Sequence, residues 1–281
     1  MIELLSSGFY TSIQDLGRFE YTAFGVPLSG AMDQNLSHLA NLLVGNKSDE
    51  PVIEMTFLGP KIKFNSSEII SVSAPEAKVF LNKKPVKINH QIEVKTNDIL
   101  EVKNIKNRAY LAIAGGFDSE EKLGSQSQYE SITKTEKLQK GDCIKIKNTE
   151  KNFHKKHASV KYDLSIYATE NLEVHVLPEY HQLQRNEYKI LTTKSFEISE
   201  QSNRMAYQLN ETLPNTLKGI KSVPVMPGTV QLTPQGKLII LMRDAQVTGG
   251  YPRIFQLTEK SINILSQKPL KSQIKFKIIK L

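Results

Sequence analysis

The feature that most constrains this chain is a period-two alternation of apolar and polar side chains, recurring in short runs along most of its 281 residues. Successive side chains of a strand point to opposite faces, so each such run calls for a sheet with one buried face. The runs are rich in Val, Ile, Phe and Tyr and are bounded by Gly, Pro, Asn and Asp. They predict strands at Val52–Phe57, Ile69–Ser73, Lys78–Leu81, Ile92–Lys95, Ile99–Lys103 and Ala109–Ala114. Further strands are predicted at Cys143–Lys147, Leu164–Tyr167, Leu172–Leu177, Val230–Leu232, Leu238–Met242 and Ile274–Ile279. So many short strands with so few helices point to a mainly-β barrel or sandwich. Lys83-Lys84 reads as a hairpin tip, and Pro85 confines the returning strand to an edge or a strand start.

Two helices interrupt the pattern. Met32, Leu36, Leu39 and Leu43 form one apolar stripe, with Ser29 placed to cap its first turn and Gly45 to end it. A shorter C-terminal helix is expected from Thr258 to about Gln267, carrying Ile262 and Leu265. The basic, weakly apolar stretch from Lys151 to Ser159 is the one shift in composition. It marks a linker near residues 148–161 between two β subdomains of a single unit spanning 1–281. Asn97-Asp98 and Gly141-Asp142 each precede a strand, a match that reflects either duplication or shared turn chemistry.

Composition narrows the function classes. Hydrophobic residues at 39% allow a sizeable core. The first seven residues have no basic region and no long apolar run, so an ordinary secretory signal is not expected and a cytoplasmic location is. Tyr110–Phe117 is too short and glycine-rich to cross a bilayer. Cys143 is the only cysteine, which rules out an intrachain disulfide, and its alternating context predicts a small buried hydrophobe. The net charge of +8 rests on scattered lysines rather than arginine forks with interleaved aromatics, so nucleic acid is not an expected partner.

Polar groups spared from the core gather at a few places. Asp15 and Arg18 flank Gly17, where they either form an internal ion pair or let the guanidinium grip a carboxylate or phosphate. Ser29-Gly30-Ala31-Met32-Asp33 opens the long helix, and such a start either is capped in the ordinary way or holds an anion. Gly115-Gly116 and Thr248-Gly249-Gly250-Tyr251 follow apolar strands. Paired glycines there serve positive φ, close ligand approach, or simple turns and bulges. The second pair is the richer one, with Arg243, Asp244, Gln246 and Arg253 close in sequence. His154 and His157 lie among lysines with no acidic third ligand, so a metal site is not expected there. No nucleotide-binding loop is present, because the spacing around Gly228 and Gly236-Lys237 is wrong for one.

Taken together these segments resemble the allophanate hydrolase subunit 2 family of biotin-dependent carboxyltransferase domains, from Gly8 to about Phe276. The resemblance is carried by Gln14–Arg18, Gly25–Asp33, Ala40–Asn46, Glu54–Thr56, Gly59-Pro60, Tyr110–Phe117 and Leu123–Ser125. It continues through Ser202–Met205, Pro224–Gln231 and Thr248–Pro252. The chain departs from the family where Gln126, Ser127 and Gln128 replace an Arg-Ser-Thr pattern, and at Ala206 and Gln208.

The resemblance implies cyclophilin-like β-barrel units and a place in a heteromeric complex. The activity implied first is ATP-dependent 5-oxoprolinase, opening 5-oxo-L-proline to L-glutamate with a homologous B-type partner and a third, metal-dependent hydrolase component. The alternatives are carboxyl transfer in a urea or amide carboxylase, and non-enzymatic antagonism of a histidine-kinase inhibitor. ATP with magnesium is expected at the level of the complex, and no biotin on this chain. The implied catalytic residues are Asp15, Arg18, Asp33, Glu54, Arg204 and Asp244, the carboxylates orienting substrate or holding magnesium. The implied substrate- or anion-binding residues are Ser29, Gly30, Gly115, Gly116, Thr248, Gly249, Gly250, Tyr251 and Arg253.

Overall fold

The computed structural model describes residues 1–147 and 162–280. The linker expected near 148–161, with His154 and His157, lies outside the described residues. The chain divides into two compact units, Met1–Arg18 with Ser29–Leu164, and Phe19–Leu28 with Ser165–Leu281.

Alternation builds the first unit from two antiparallel sheets. The five-stranded sheet runs in the order Tyr10–Gln14, Val52–Thr56, Arg108–Ile113, Glu68–Ser73, Gln91–Val94. The seven-stranded sheet runs Phe117–Asp118, Cys143–Ile146, Ile2–Ser6, Lys61–Phe64, Ile99–Lys103, Lys78–Leu81, Lys84–Val86. One apolar cluster draws on both, with Ile13, Ile53, Val72 and Leu111 from the first and Leu4, Ile62, Phe64 and Leu100 from the second.

The other face of the five-stranded sheet is polar, and it is buried too. Register puts Ser12 opposite Glu54, Glu54 opposite Tyr110, and Tyr110 opposite Ser73, and all four are buried. Helix α1 (Gln34–Leu43) packs on this sheet, its Ala40 carbonyl accepting a 2.6 Å bond from the Ser71 hydroxyl. Its N-cap is Asp33 rather than Ser29, because the Asp33 side chain accepts from the Leu36 N–H at 3.1 Å. Ser29 instead takes a left-handed φ of 56°, outside the helix. Gly45 follows the helix at φ 78°, as expected.

Two smaller expectations shift. The hairpin tip is Asn82-Lys83, both at positive φ, while Lys84 already pairs with Leu81. Pro85 does lie on an edge strand of its sheet, where a missing N–H breaks no ladder. Cys143 is exposed, not buried, because Ile144 takes the inward position of that strand. Lys95 N–H bonds to Asp98 and Gln139 N–H to Asp142, each at 2.7 Å, so the two aspartate turns share a local bonding pattern.

The second unit is a nearly closed barrel. Its strands run Phe196–Glu197, Gln273–Ile278, Asn171–Val176, Arg253–Leu257, Thr229–Leu232, Lys237–Leu241, Ala206–Thr212. The ends of this order meet through an Ile198–Leu209 bridge and a 2.8 Å bond from Ser199 N–H to the Gln208 carbonyl. A chain of rings fills the interior, Tyr180 to Phe255, Phe255 to Phe276 and Phe276 to Phe196, at 5.2, 5.2 and 5.5 Å between centroids. Helix α2 (Arg185–Thr193) was not expected. Its nine residues are polar on average, with only Glu187 and Leu191 buried, and a reciprocal cap between Gln184 and Glu187 opens it. Helix α3 (Glu259–Ser266) lies where a helix was expected, with Thr258 as its N-cap. Leu164–Ala168 is a 3-10 turn where a strand was expected. The mainly-β, barrel-like expectation therefore holds. Among the described residues no helix is long and apolar enough to cross a membrane.

Phe255 is fully buried in the ring chain. Phe255→Ala is expected to lower stability by about 3–5 kcal/mol, measured as a shift in the urea unfolding midpoint at unchanged slope.

Candidate functional site

In the first unit Asp15 is the hub. The strand Tyr10–Gln14 ends there and the chain turns through Gly17 at φ 107°. One Asp15 carboxylate oxygen accepts from Gly17 N–H at 2.8 Å, the Ser125 hydroxyl at 2.7 Å and the Ser127 hydroxyl at 2.6 Å. The other accepts from Gln126 N–H at 2.6 Å, and the Asp15 carbonyl accepts from Ala31 N–H at 2.8 Å. Arg18 is fully buried and donates Nε to the Lys122 carbonyl at 3.2 Å and Nη2 to the Ser127 carbonyl. The aspartate and the arginine thus fasten one loop, residues 122–127, rather than pointing to solvent.

The two glutamines that replace the family pattern join the same framework. Gln126 accepts a 2.7 Å bond from the Ser119 hydroxyl. Gln128 exchanges bonds with Ile13 in both directions, through its side-chain oxygen and its own N–H, each at 2.9 Å.

The Ser29–Asp33 segment meets this hub from the other side. Gly30 has φ 92°, and a Cβ there would come within 2.8 Å of the Leu16 carbonyl, so only glycine fits. Met32 N–H donates to Glu54 at 2.8 Å, and Asp33 N–H to the Tyr110 hydroxyl at 2.8 Å. The Ala31, Met32 and Asp33 N–H groups are therefore satisfied inside the protein. Glu54 also faces Arg108 Nε at 3.6 Å, both side chains being at most 5% exposed. Burial, then the charges of Glu54 and Asp33, hold the Tyr110 phenol well above its ordinary pKa, so it remains protonated. Arg108 and Tyr110 were missed in the sequence. Their signal was a polar residue at alternate positions of an apolar run, which reads equally well as a solvent face.

The two glycine pairs differ physically. Gly115 and Gly116 adopt φ 86° and 87°, and a Cβ on Gly116 would strike Glu50, which is paired with Lys147 at 2.7 Å. Gly249 and Gly250 lie outside the positive-φ region. Gly249 pairs with Val223 in a short ribbon, and the Gln231 amide nitrogen sits 2.3 Å from where its Cβ would be. A side chain at Gly249 would therefore displace the Gln231 amide, and no positive φ calls for glycine there.

In the second unit the expected arginines are engaged by carboxylates. Arg204 grips Asp244 through Nε at 2.7 Å and Nη2 at 3.1 Å, and both are buried. Arg253 grips Glu179 through Nε at 3.2 Å and Nη2 at 3.1 Å, with its own N–H on the same carboxylate. Burial alone would raise the Glu179 carboxyl, but the Arg253 guanidinium outweighs it and holds the group below its ordinary value. Arg243 pairs with Glu259 instead of joining the Thr248–Tyr251 segment. Glu179 and Gln231 were also missed in the sequence, since nothing local distinguishes them from surface polar residues.

A magnesium ion does not fit the proposed carboxylates. Asp15, Asp33, Glu54 and Asp244 are each turned to donors of the protein itself, and among the described residues no group of three His, Cys, Asp or Glu side chains converges.

Residues 24–278 match the family model for the carboxyltransferase domain, subdomain A and B. The C-type subunit of the 5-oxoprolinase of Escherichia coli strain K12 is 30% identical over 284 residues, which covers 98% of this chain and 90% of that protein. The urea amidolyase of Lachancea kluyveri is 45% identical over 130 residues, 45% of this chain and 7% of that one. The solved Kluyveromyces lactis urea carboxylase aligns with a TM-score of 0.87 at 27% identity, over 99% of this chain. This chain spans 27% of that much longer one.

Two outcomes follow from the ion pairs. Asp244→Ala strands a buried guanidinium and is expected to cost about 3–5 kcal/mol, while replacing Arg204 and Asp244 together by Met and Leu costs clearly less, read by urea titration. The folded Glu179 binds its proton more weakly than the unfolded chain does. Its pairing therefore contributes above the ordinary value of 4.5 and is lost as pH falls through the lower folded value. Glu179→Gln should make stability less dependent on pH below 4.5.

Proposed function

Because the chain belongs to the carboxyltransferase domain family, subdomain A and B, we propose that it is the C-type subunit of a multi-subunit 5-oxoprolinase. The observation that carries this reading is the nearly end-to-end match to a protein named as the C-type subunit of that enzyme. In the proposed complex ATP activates the lactam carbonyl of 5-oxo-L-proline, and water then opens the ring to L-glutamate. An unactivated amide is a poor electrophile, so activation at oxygen, by creating a leaving group, is the step that needs ATP. Nucleotide and magnesium belong, on this reading, to the assembled complex, with a homologous B-type partner and a metal-dependent hydrolase component.

This chain's part is to hold and orient the substrate. Of the three arginines implicated by the resemblance, Arg253 is the most open to a substrate carboxylate, its side chain being 23% exposed against 9% for Arg204 and none for Arg18. Thr248 and Tyr251, both exposed, flank Gly249 and Gly250 and give the site its rim. Asp15, Arg18, Asp33, Glu54 and the Arg204–Asp244 pair act as positioning residues that fix the surrounding backbone.

A second reading is carboxyl transfer to urea or another small amide. It is favoured by the higher identity of the Lachancea kluyveri segment, 45% against 30% for the Escherichia coli relative. Both readings present an amide carbonyl to the protein.

The test is ATP-dependent release of glutamate from 5-oxo-L-proline in lysates of the source cells with and without this chain. Loss of activity on removal, restored by the wild-type chain and restored with a raised KM by Arg253→Ala, is the expected result. Undiminished activity without the chain would overturn the reading.

A further inference from the structure

The second unit holds a hydrogen-bond donor that its own fold leaves unused. Gln231 lies in the strand Thr229–Leu232 with a side chain only 1% exposed, and its Nε2 meets no acceptor. Leaving such a donor unpaired in the interior forfeits its hydration with nothing in return, so a fold that keeps one calls for an explanation. Its neighbours on the strand show that the burial is not core packing. Val230 and Leu232 point into the barrel, so Gln231 points to the opposite face, where alternation would put solvent.

What covers it there is slight. The segment Val223-Pro224 pairs with Thr248-Gly249 in a separate ribbon of two residues per strand, which is not part of the barrel sheet. Backbone bonds from Val225 N–H to the Val247 carbonyl at 3.0 Å and from Ile220 N–H to the Gly250 carbonyl at 2.8 Å tie it down. The Gln231 amide occupies the space that a side chain on Gly249 would fill. Two-stranded ribbons are marginal on their own. Thr248 on one side of Gly249 and Tyr251 beyond it are exposed, as is Met226 at 59%. In cross-strand register Gln231 lies opposite Arg253, so both side chains emerge on one face.

We propose that the Gln231 carboxamide is the inner donor of a ligand site in the second unit, closed by the Val223–Pro224/Thr248–Gly249 ribbon, and that it takes the carbonyl oxygen of a small amide or lactam. The ribbon lifts, the ligand oxygen reaches Nε2 past the side-chain-free Gly249, and the neighbouring Arg253 receives a carboxylate if the ligand carries one. A side chain at Gly249 would stand where the Gln231 amide now lies and so obstruct this route. The site rests on the 5-oxoprolinase reading only in the choice of its first probe.

The experiment follows the Gln231 side-chain NH2 resonances of the full chain, alone and with its partner subunits from the source cells. The signals are assigned by their loss in Gln231→Met. The probes are 5-oxo-L-proline, urea and acetate. A saturable downfield shift with 5-oxo-L-proline, weakened at least tenfold in apparent affinity by Gly249→Ala, is the expected result. A shift with urea alone keeps the site and overturns the 5-oxoprolinase reading. A shift with acetate as large as with the amides overturns the assignment to a carbonyl ligand. No shift with any probe, alone or assembled, overturns the site. So does an NH2 pair already hydrogen-bonded and protected from exchange in the ligand-free chain.

Discussion

The first unit depends on the burial of both faces of one antiparallel sheet. A half-buried sheet separates an apolar face from a wet one. Here the polar face, with Ser12, Glu54, Tyr110 and Ser73 in register, is covered by α1 and the segment leading into it. Burying such groups is costly unless they are bonded, and of these four only the Ser73 hydroxyl meets no partner among the described residues. Glu54 therefore accepts from Met32 N–H and faces Arg108, the Tyr110 hydroxyl accepts from Asp33 N–H, and the Ser71 hydroxyl donates to the Ala40 carbonyl. The helix start is fixed by this requirement. It begins at Gln34 because the preceding N–H groups are held by the sheet beneath, and Asp33 is left to cap it.

The same logic reaches Asp15. A carboxylate accepting four bonds from one loop and its own turn is a structural knot, and Arg18 doubles it by binding two carbonyls of the same loop. Gln126 lies in this loop and Gln128 just beyond it, both at positions where the sequence departs from the pattern the resemblance implies. Neutral amides there bond to Ser119 and Ile13 and add no charge to the segment.

The mainly-β architecture and many of the strands were legible because period two survives in any sheet with one apolar face, while Ile2–Ser6, Tyr10–Gln14, Lys61–Phe64, Ala206–Thr212 and Arg253–Leu257 were not predicted. Helices α1 and α3 were legible from their stripes, while α2 was not, since only Glu187 and Leu191 of its nine residues are buried and its mean composition is polar. What alternation cannot tell is whether a polar face meets water or a helix. That ambiguity hid Arg108 and Tyr110, and it misplaced Cys143 in the opposite sense. The first glycine pair was legible as a site of positive φ. The second was not, because its glycine answers to a side chain eighteen residues upstream in sequence, Gln231 against Gly249.

Charge content is likewise a poor guide to what a protein offers a ligand. Three arginines stood out in the sequence as anion grips, yet each is engaged by the fold, Arg18 by carbonyls, Arg204 by Asp244 and Arg253 by Glu179, and of the three only Arg253, with its side chain 23% exposed, keeps an edge open to a ligand. A bidentate buried pair such as Arg204–Asp244 fixes geometry more than it attracts a solute, because its charges already cancel at short range. Recognition on such a surface falls to groups held in place but not yet satisfied. A buried amide with no acceptor is of that kind, since it is already desolvated and gains its bond only when a carbonyl arrives. That favours a neutral, amide-bearing ligand over a simple anion at Gln231, with Arg253 adding selectivity for one that also carries a carboxylate.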